Sequence, residues 1–466
     1  MGPMSISKIS LCSLLWVGGP ALLSCNKTAF LDKKPNTTLV VPTSLTDFQT
    51  LLDNDIIMSV TPVLGELSAD NFYLTDALWQ SLDTKEYNAY IWAQDIYQGQ
   101  GGVEDWNDPY QQVFYANVVL AGLPAVPVDN SNLQQWNTIM GSALFIRAYA
   151  FYNLVQLFAP MYDSSTASTD LGIPIRLSPD INVTSVRSSV QVSYDQIISD
   201  LKAASHLLPV AIPDSNLNRP SRPAAFAELA RVYLGMGAYS QAGAYADSCL
   251  QLYNTLMDYS SLSSLSSPLS FSKTNVETMY QSNFLTDTKV FLGLIIPGCI
   301  VDSLLYRSYD TNDLRRVAYY TINSMTGLPN IKGSYNGSIY PFSGLATDEV
   351  YLIKAECAAR AGDKNTALAY LNMLMQNRWA AGKFVPFATA SAGEALDSVL
   401  VERRKELAFR GLRFTDLRRL NKEGANIGLT RFIGGQSYLL APNSPLYVLP
   451  IPPDVIALSG IQQNTR

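Results

Sequence analysis

Residues 226–254 read FAELARVYLGMGAYSQAGAYADSCLQLYN and predict two consecutive helices. Apolar residues in the first half recur at helical spacing, at Phe226, Leu229, Ala230, Tyr233 and Leu234. Gly237 is expected to end this helix, because glycine readily adopts the left-handed backbone found just past a helix terminus. The second half carries the small residues Ala242, Ala246 and Cys249. Small side chains at these positions allow two paired helices to approach closely.

The same pattern returns 125 residues later, in YLIKAECAARAGDKNTALAYLNMLMQNRW at 351–379. Its Ala355, Gly362 and Ala367 fall in the register of a tetratricopeptide repeat. One such helix pair cannot bury its own apolar face, so at least three units are expected to stack. The other predicted helices are Tyr110–Leu123, Leu133–Phe158, Val190–Leu208 and, interrupted by Gly411, Leu400–Leu420. The predicted fold class is therefore mostly α, a tetratricopeptide-like helical-repeat scaffold.

Long segments rich in Ser, Gly, Pro and Tyr separate the predicted helices, at 59–109, 160–188, 255–345 and 424–466. They are too long to be simple connectors, and loops of this length are usually functional or carry small structures of their own. The sequence therefore predicts a second, loop-rich face made by these insertions.

Composition excludes several classes of function. The chain is acidic, with a formal net charge of −6 and no basic cluster, so nucleic-acid binding through phosphate neutralisation is not expected. A single histidine, His206, and the lack of a CxxC pair predict no metal site and no metal cofactor. No GxSxG, Cys–His pair or phosphate-binding loop is found, so catalysis is not expected.

The N-terminus has the layout of a bacterial export signal. An apolar run at 9–23 follows Lys8, and it is shorter than the roughly 20 residues that a membrane-spanning helix needs. The ending Leu22-Leu23-Ser24-Cys25 resembles a lipobox, in which cleavage before the cysteine is followed by its acylation. We therefore expect residues 1–24 to be a lipoprotein signal peptide and Cys25 to be the lipid attachment site. The alternative is an ordinary cleaved signal followed by an incidental cysteine.

Eight stretches in order resemble one family, the SusD/RagB-like outer-membrane lipoproteins of Bacteroidetes. They are FLDKKP at 30–35, ELSADNFY at 66–73, WNDPYQQVFYANVVLAGL at 106–123, RAYAFYNLVQLFAP at 147–160, the two repeats above, VERRKELAFRGLRFTDLRRL at 401–420 and LYVLPIPPDVIALSGIQQN at 446–464. The resemblance implies a lipidated tether at 25–40 and a single SusD-like domain at 41–466. Within that domain, repeat helices are expected near 110–158, 190–254, 349–379 and 397–420.

The resemblance also implies a function. Such a protein would be lipid-anchored in the outer membrane, facing the cell exterior, and would pass an oligosaccharide to a SusC-like TonB-dependent transporter. A peptide ligand and a helical-repeat scaffold without a small ligand are the alternatives.

Aromatic residues set among polar ones supply the candidate ligand contacts, because sugars present apolar C–H faces with hydroxyl rims. The candidates are Trp79, Trp92, Tyr90, Tyr87, Asp70 and Asn71 from the first insertion and Tyr306 and Tyr309 from the insertion at 255–345. Trp106 lies in the helix that the family resemblance implies at 106–123 and is expected to be a core residue.

Segment 401–420 is rich in arginine and could suggest an anion site. Glu406 and Arg410 are four residues apart, and Asp416 and Arg419 are three apart. These spacings favour local ion pairs along a helix, each contributing about 0.2–0.5 kcal/mol. The segment is therefore interpreted as structural.

Overall fold

Helices dominate the computed structural model, which describes residues 42–466 except 286, 287, 289 and 292–297. The α-helices are α1 Leu45–Leu52, α2 Asp55–Met58, α3 Leu64–Leu67, α4 Asp76–Gln80, α5 Thr84–Tyr90, α6 Glu104–Gly122, α7 Leu133–Phe158, α8 Val190–Leu207, α9 Arg222–Gly235, α10 Tyr239–Leu252, α11 Ser303–Arg307, α12 Arg315–Tyr319, α13 Thr347–Arg360, α14 Lys364–Met375, α15 Ala392–Glu406, α16 Arg413–Lys422 and α17 Pro453–Ser459. Short 3-10 helices cover Leu123–Ala125, Tyr259–Ser261 and Pro445–Tyr447.

The strands are short and lie mainly in the insertions. They are β1 Val60–Thr61, β2 Phe72–Leu74, β3 Thr278–Tyr280, β4 Asn283–Phe284, β5 Cys299–Val301, β6 Tyr320–Ile322, β7 Pro329–Ile331, β8 Leu345–Ala346, β9 Leu429–Ile433 and β10 Gln436–Leu440. An antiparallel sheet has the order β2–β5–β7–β6, and β1–β4, β3–β8 and β9–β10 form two-stranded sheets. Because β2 pairs with β5, the first insertion and the insertion at 255–345 meet in one sheet.

Eight helices form a series in which each packs against the next: α6, α7, α8, α9, α10, α13, α14 and α15. The pairs α9/α10 and α13/α14 are the two repeats read from the sequence, and α10 contacts α13 directly. Residues 255–345 are therefore an insertion that leaves the two repeats stacked. The predicted mostly α, tetratricopeptide-like fold class is confirmed.

Small residues bring α10 and α13 together. A Cβ added to Gly243 would lie only 3.2 Å from the Cβ of Cys357. Ala242 and Ala246 are completely buried on the same helix. A larger side chain at Gly243 would overpack the interface between the two repeats.

Segment 401–420 makes ion pairs over long distances in sequence. Glu406 is the last residue of α15, and its carboxylate accepts hydrogen bonds from Arg315 at 2.9 Å and Arg378 at 2.7 Å. Arg410 lies beyond the end of that helix and binds Asp348 at 2.6 Å. The predicted Glu406/Arg410 pair is therefore wrong, because the helix ends between the two residues.

The second predicted pair is confirmed, since Arg419 donates to Asp416 at 2.8 Å. Arg419 also binds both carboxylate oxygens of Glu356 on α13, at 2.6 and 2.9 Å. Arg403 on α15 donates to Asp416 as well, at 2.9 Å. These contacts join three helices, so the segment stabilises tertiary packing rather than a single helix.

No helix in the described part of the chain combines the length and apolarity needed to cross a membrane. Cys249, Cys299 and Cys357 are buried and free. The predicted signal peptide, the tether and Cys25 lie outside the described residues.

Glu228 on α9 is a buried carboxyl with incomplete pairing. Arg231 donates to one Glu228 oxygen at 3.2 Å but makes its bidentate contact with Glu349, at 2.9 and 2.6 Å. The other oxygen, Oε1, lacks a hydrogen-bond partner among the described residues. Burial, opposed by Arg231 and reinforced by the Glu349 charge, raises the pKa of Glu228 from 4.5 to about 7.

This pKa predicts a loss of stability as the pH rises. Between pH 4.5 and about 7 the folded protein keeps a proton that the unfolded chain releases. The stabilisation linked to this proton is therefore fully present below the pKa of Glu228 in the unfolded chain. It is lost as the pH rises through the pKa of Glu228 in the folded protein. The free energy of unfolding of the native protein should therefore decrease from pH 5 to pH 8. In Glu228→Gln this decrease should be smaller than in the native protein by about 2 kcal/mol. Urea titrations at both pH values measure this change.

Asp397→Asn is the matched control, because it removes an exposed carboxyl from α15. The free energy of unfolding of Asp397→Asn should depend on pH in the same way as that of the native protein. Equal pH dependence in Glu228→Gln and the native protein would show that Glu228 keeps its charge on folding.

Candidate ligand-binding site

Trp79 and Tyr87 form a stacked aromatic pair where the first insertion meets the C-terminal hairpin. Thr75 caps the N-terminus of α4, which carries Trp79, and Asp83 caps α5, which carries Tyr87. The two ring centroids are 3.9 Å apart with an interplanar angle of 16°. The indole N–H of Trp79 donates to the carbonyl oxygen of Tyr87 at 3.0 Å, which fixes the relative position of the two short helices.

The hairpin of β9 and β10 supports this pair from behind. Gly434 in its turn has a φ of 58°, and a Cβ there would lie 2.8 Å from the six-membered ring of Trp79. The Gly434 N–H donates to Asp76 at 3.1 Å, so the turn is tied to α4. Trp79 is therefore enclosed, with 3% of its surface exposed, whereas Tyr87 is only half-buried.

Tyr438 on β10 is the third aromatic residue of this surface. Burial and, to a lesser extent, the Tyr438 phenol raise the pKa of Tyr87. The Tyr438 hydroxyl donates to Gln436 at 3.1 Å. We refer to Trp79, Tyr87 and Tyr438 as the Tyr87 platform, because Tyr87 is its solvent-facing ring with a rigid aromatic support.

Tyr90 and Trp92 lie in the interior around Arg431. The Arg431 guanidinium is 3.7 Å from the Tyr90 ring centroid and 4.5 Å from that of Trp92. Trp92 has a φ of 56°, unusual for a bulky residue, and its indole N–H donates to Ser68. Both side chains are at least 96% buried. A ligand arriving from solvent does not reach either ring while Arg431 occupies this position.

Asp70 and Asn71 are bound to protein groups. Asp70 accepts two hydrogen bonds from Arg413, at 2.6 and 2.9 Å. Burial would raise the pKa of Asp70, but the hydrogen bonds and charges of Arg413 and Arg404 outweigh it and hold this pKa below its usual value. Asn71 is fully buried and donates to Glu66 at 2.9 Å.

The insertion at 255–345 places Tyr306 and Tyr309 differently. Tyr309 is 2% exposed, and its hydroxyl donates to the carbonyl oxygen of Lys405 at 2.7 Å. Tyr306 is half-buried, with the Arg316 guanidinium 4.6 Å from its ring centroid. Of the eight predicted ligand residues, the structure brings only Trp79 and Tyr87 together as a stacked pair with one ring open to solvent.

The contribution of the hairpin to this site is not evident from the sequence. The stretch LTRFIGGQSYLL at 429–440 contains two β-like runs separated by Gly-Gly, which is a recognised hairpin signal. That signal predicts the turn. It does not predict that Gly434 lies against Trp79 or that Arg431 fills the space between Tyr90 and Trp92.

Comparisons with known proteins agree on one family. The family described as "Starch-binding associating with outer membrane", a SusD-like family, matches residues 29–234, and the SusD family matches residues 320–464. SusD-like protein P2 of Formosa agariphila is 23% identical over 434 residues, which cover 77% of this chain and 79% of that protein.

Solved structures show the same fold. A SusD superfamily protein from Bacteroides thetaiotaomicron superposes with a TM-score of 0.73 at 23% identity, covering 91% of this chain and 100% of the other. A structure described as a laminarin binding SusD-like protein superposes with a TM-score of 0.65 at 19% identity, covering 91% and 99%.

Proposed function

Because this chain belongs to the SusD family, we propose that it is an outer-membrane lipoprotein that captures an oligosaccharide at the Tyr87 platform. The captured oligosaccharide then passes to a SusC-like TonB-dependent transporter, and the lipid on Cys25 holds the protein at the cell exterior. The family description names starch binding and association with the outer membrane, and a structural neighbour is described as laminarin binding. The observation that carries the ligand assignment is the solvent-facing Tyr87 ring stacked on a buried Trp79.

A supported aromatic ring suits a sugar for physical reasons. The apolar C–H face of a pyranose stacks on the ring, while polar groups at the edge receive its hydroxyls. Trp79, which itself packs against Gly434, holds Tyr87 from behind, so little conformational freedom is lost when the ligand binds. A single platform of this kind supports dissociation constants of about 1 μM to 1 mM, which suffice for capture followed by transfer.

The proposed role is binding rather than catalysis. A glycosidase needs two carboxyl groups that flank the scissile bond at a separation of about 5–10 Å. Four acids in the first insertion could nominally serve: Glu66, Asp70, Glu104 and Asp105. Asp70 is bound to Arg413 and Glu104 to Lys85, and both Glu66 and Asp105 are buried with backbone N–H groups donating to them. These contacts support structural roles for all four.

Tyr87→Ala is expected to weaken glycan binding about tenfold or more, corresponding to about 1.4 kcal/mol, because the stacking ring is removed. Tyr87→Phe should bind nearly as well as the native protein. Calorimetric titration of the purified protein with neutral oligosaccharides of the starch and laminarin types, and with a peptide panel, measures this effect.

Tyr245→Ala is the matched control. Tyr245 is also the half-buried outer ring of a stacked pair, 5.5 Å from Tyr233 in the helical repeats. Its loss should leave glycan affinity unchanged. Equal affinities of Tyr87→Ala and the native protein would exclude the platform as the contact, and saturable binding of peptides alone would favour the peptide-binding alternative.

A further inference from the structure

An apolar groove lies between α6, the loop at 174–185 and α17, and it shares no residue with the Tyr87 platform. Its cavity volume is about 290 Å³, close to the lower end of the roughly 300–1,000 Å³ typical of small-molecule sites. One wall is a single face of α6, on which lining residues recur at helical spacing: Trp106, Tyr110, Val113 and Phe114. Ile181 of the loop and Val455 of α17 line the opposite side. We call the cavity between these walls the α6 groove.

Hydrogen bonds hold the loop against α6. The Tyr110 hydroxyl donates to the carbonyl oxygen of Pro174 at 2.9 Å. The Asn117 side-chain amide donates to the carbonyl oxygen of Arg176 at 2.9 Å. Asn117 is itself fixed, because its side-chain oxygen accepts a hydrogen bond from Arg147 at 2.9 Å. The α6 groove is therefore preformed, and little ordering is needed when a ligand enters it.

Large apolar side chains are exposed around the α6 groove. Ile181 is 79% exposed and Phe114 is 39% exposed, and both line the groove. Leu458 is 90% exposed and lies on α17 between the lining residues Val455 and Ser459. Exposed apolar side chains around a concave apolar surface mark an interaction site. The apolar body of a ligand would remove this surface from water, which favours binding.

Arg176 is the one charged side chain among the described residues that line the α6 groove, and it is partly exposed. Its Nη1 and Nη2 donate to the carbonyl oxygens of Val183 and Asp180 and to the Ser185 hydroxyl, each at 2.7 Å. Within the described part of the chain, none of its hydrogen bonds goes to a carboxylate and its Nε–H has no partner. The Asp180 carboxylate instead accepts from Asn182 at 2.9 Å. A carboxylate in the groove would therefore find an accessible guanidinium that no protein carboxylate neutralises.

We propose that the α6 groove binds a small amphiphilic anion, a molecule with an apolar body and one carboxylate, such as a medium-chain fatty acid. The apolar body lies along the face of α6, and the carboxylate accepts hydrogen bonds from Arg176. This ligand class differs from the neutral glycan proposed for the Tyr87 platform, because the groove offers apolar walls and a cation instead of one solvent-facing ring. The two sites share no residue, so each binds its ligand independently of the other.

The test compares octanoate with octan-1-ol, which have the same chain length and differ in charge. Calorimetric titration uses the purified protein in buffer free of detergent, since detergent would compete for the groove. The native protein should bind octanoate at least tenfold more tightly than octan-1-ol. Arg176→Gln should remove this preference, and Arg176→Lys should retain most of it. Neither replacement has the forked guanidinium that holds the loop, so the comparison separates the charge of Arg176 from its structural role.

Ile181→Ser tests the apolar wall at an exposed position where folding should not be affected. It should weaken the binding of both probes at least threefold and leave the preference for octanoate. Val385→Ser, at a residue 76% exposed and outside the groove, is the matched control and should change neither affinity.

Equal affinities of the native protein for octanoate and octan-1-ol would overturn the proposal, as would a preference for octanoate that persists in Arg176→Gln. Unchanged binding in Ile181→Ser would place the ligand elsewhere and overturn it too. Binding of neither probe would also overturn it and would favour a protein partner for this surface. Tyr87→Ala should leave octanoate binding unchanged, so failure of the α6 groove and failure of the glycan assignment are distinguishable.

Discussion

Arg378→Met is expected to destabilise the protein by about 3–5 kcal/mol, because it removes the cation from a fully buried group of carboxylates. Arg378 has no exposed surface and donates to Glu406 at 2.7 Å and to both oxygens of Glu277 at 2.8 and 2.9 Å. Its third nitrogen, Nη1, donates to the carbonyl oxygen of Met257 at 2.8 Å. Glu406 keeps Arg315 after the substitution, whereas Glu277 loses its only arginine among the described residues.

The effect of Arg378→Met should depend on pH. Burial already raises the pKa of Glu277, with Arg378 opposing the shift, so removal of Arg378 raises this pKa further. At low pH Glu277 becomes neutral and tolerates burial, so the loss of stability should be smaller at pH 5 than at pH 8. Urea or thermal unfolding at both pH values measures the difference.

Two further variants make this prediction sharper. Arg307→Ala removes an exposed arginine whose hydrogen bonds within the described part of the chain are to Ser303, and it should change stability by no more than about 0.5 kcal/mol. The double variant Glu277→Gln/Arg378→Met should be less destabilised than the sum of its single variants, because no charge of Glu277 remains unpaired. Additive losses would show that Arg378 and Glu277 do not interact energetically.

Cys25→Ala is expected to abolish fatty-acid labelling and to release the protein from the membrane fraction. In the proposed arrangement, the acyl chains on Cys25 attach the protein to the membrane. Each buried methylene contributes about 0.8 kcal/mol, and one acyl chain alone gives only marginal binding. Loss of two or more chains should therefore move essentially all of the protein to the soluble fraction.

The measurement is metabolic labelling with a tagged fatty acid, followed by fractionation. Cys12→Ala is the matched control, because Cys12 lies within the predicted signal peptide and should be removed with it. It should leave both labelling and membrane association unchanged. Labelling that persists in Cys25→Ala would exclude Cys25 as the attachment site.

The arginine-rich segment 401–420 shows that ion pairs between distant parts of the chain are not predictable from sequence spacing. The helix break around Gly411 was predicted, and the structure has α15 ending at Glu406 and α16 beginning at Arg413. The ion pair of Glu406 with Arg378 was not predicted, because Arg378 lies 28 residues earlier in the chain. Spacing identifies partners within one helix, whereas this ion pair depends on how α14 and α15 are placed against each other.

The candidate site shows the same limit. The aromatic residues of the first insertion were identified as one group from composition, and the structure divides them. Tyr87 reaches solvent, Trp79 supports it, and Tyr90 and Trp92 enclose Arg431. Nothing in the segment itself separates these roles, because the hairpin that covers Trp79 and supplies Arg431 is more than 300 residues away.

The sequence by itself determined the helical repeats, since helix periodicity and the small residues at Ala242 and Ala367 are local properties of the chain. It also determined the family, through eight short stretches in order. Only the tertiary structure decided which side chains are buried and which partner each charged group has. Burial and ion pairing both depend on segments that are distant in sequence. Packing of such segments excludes water from one face of an aromatic ring, while the other face stays in contact with water.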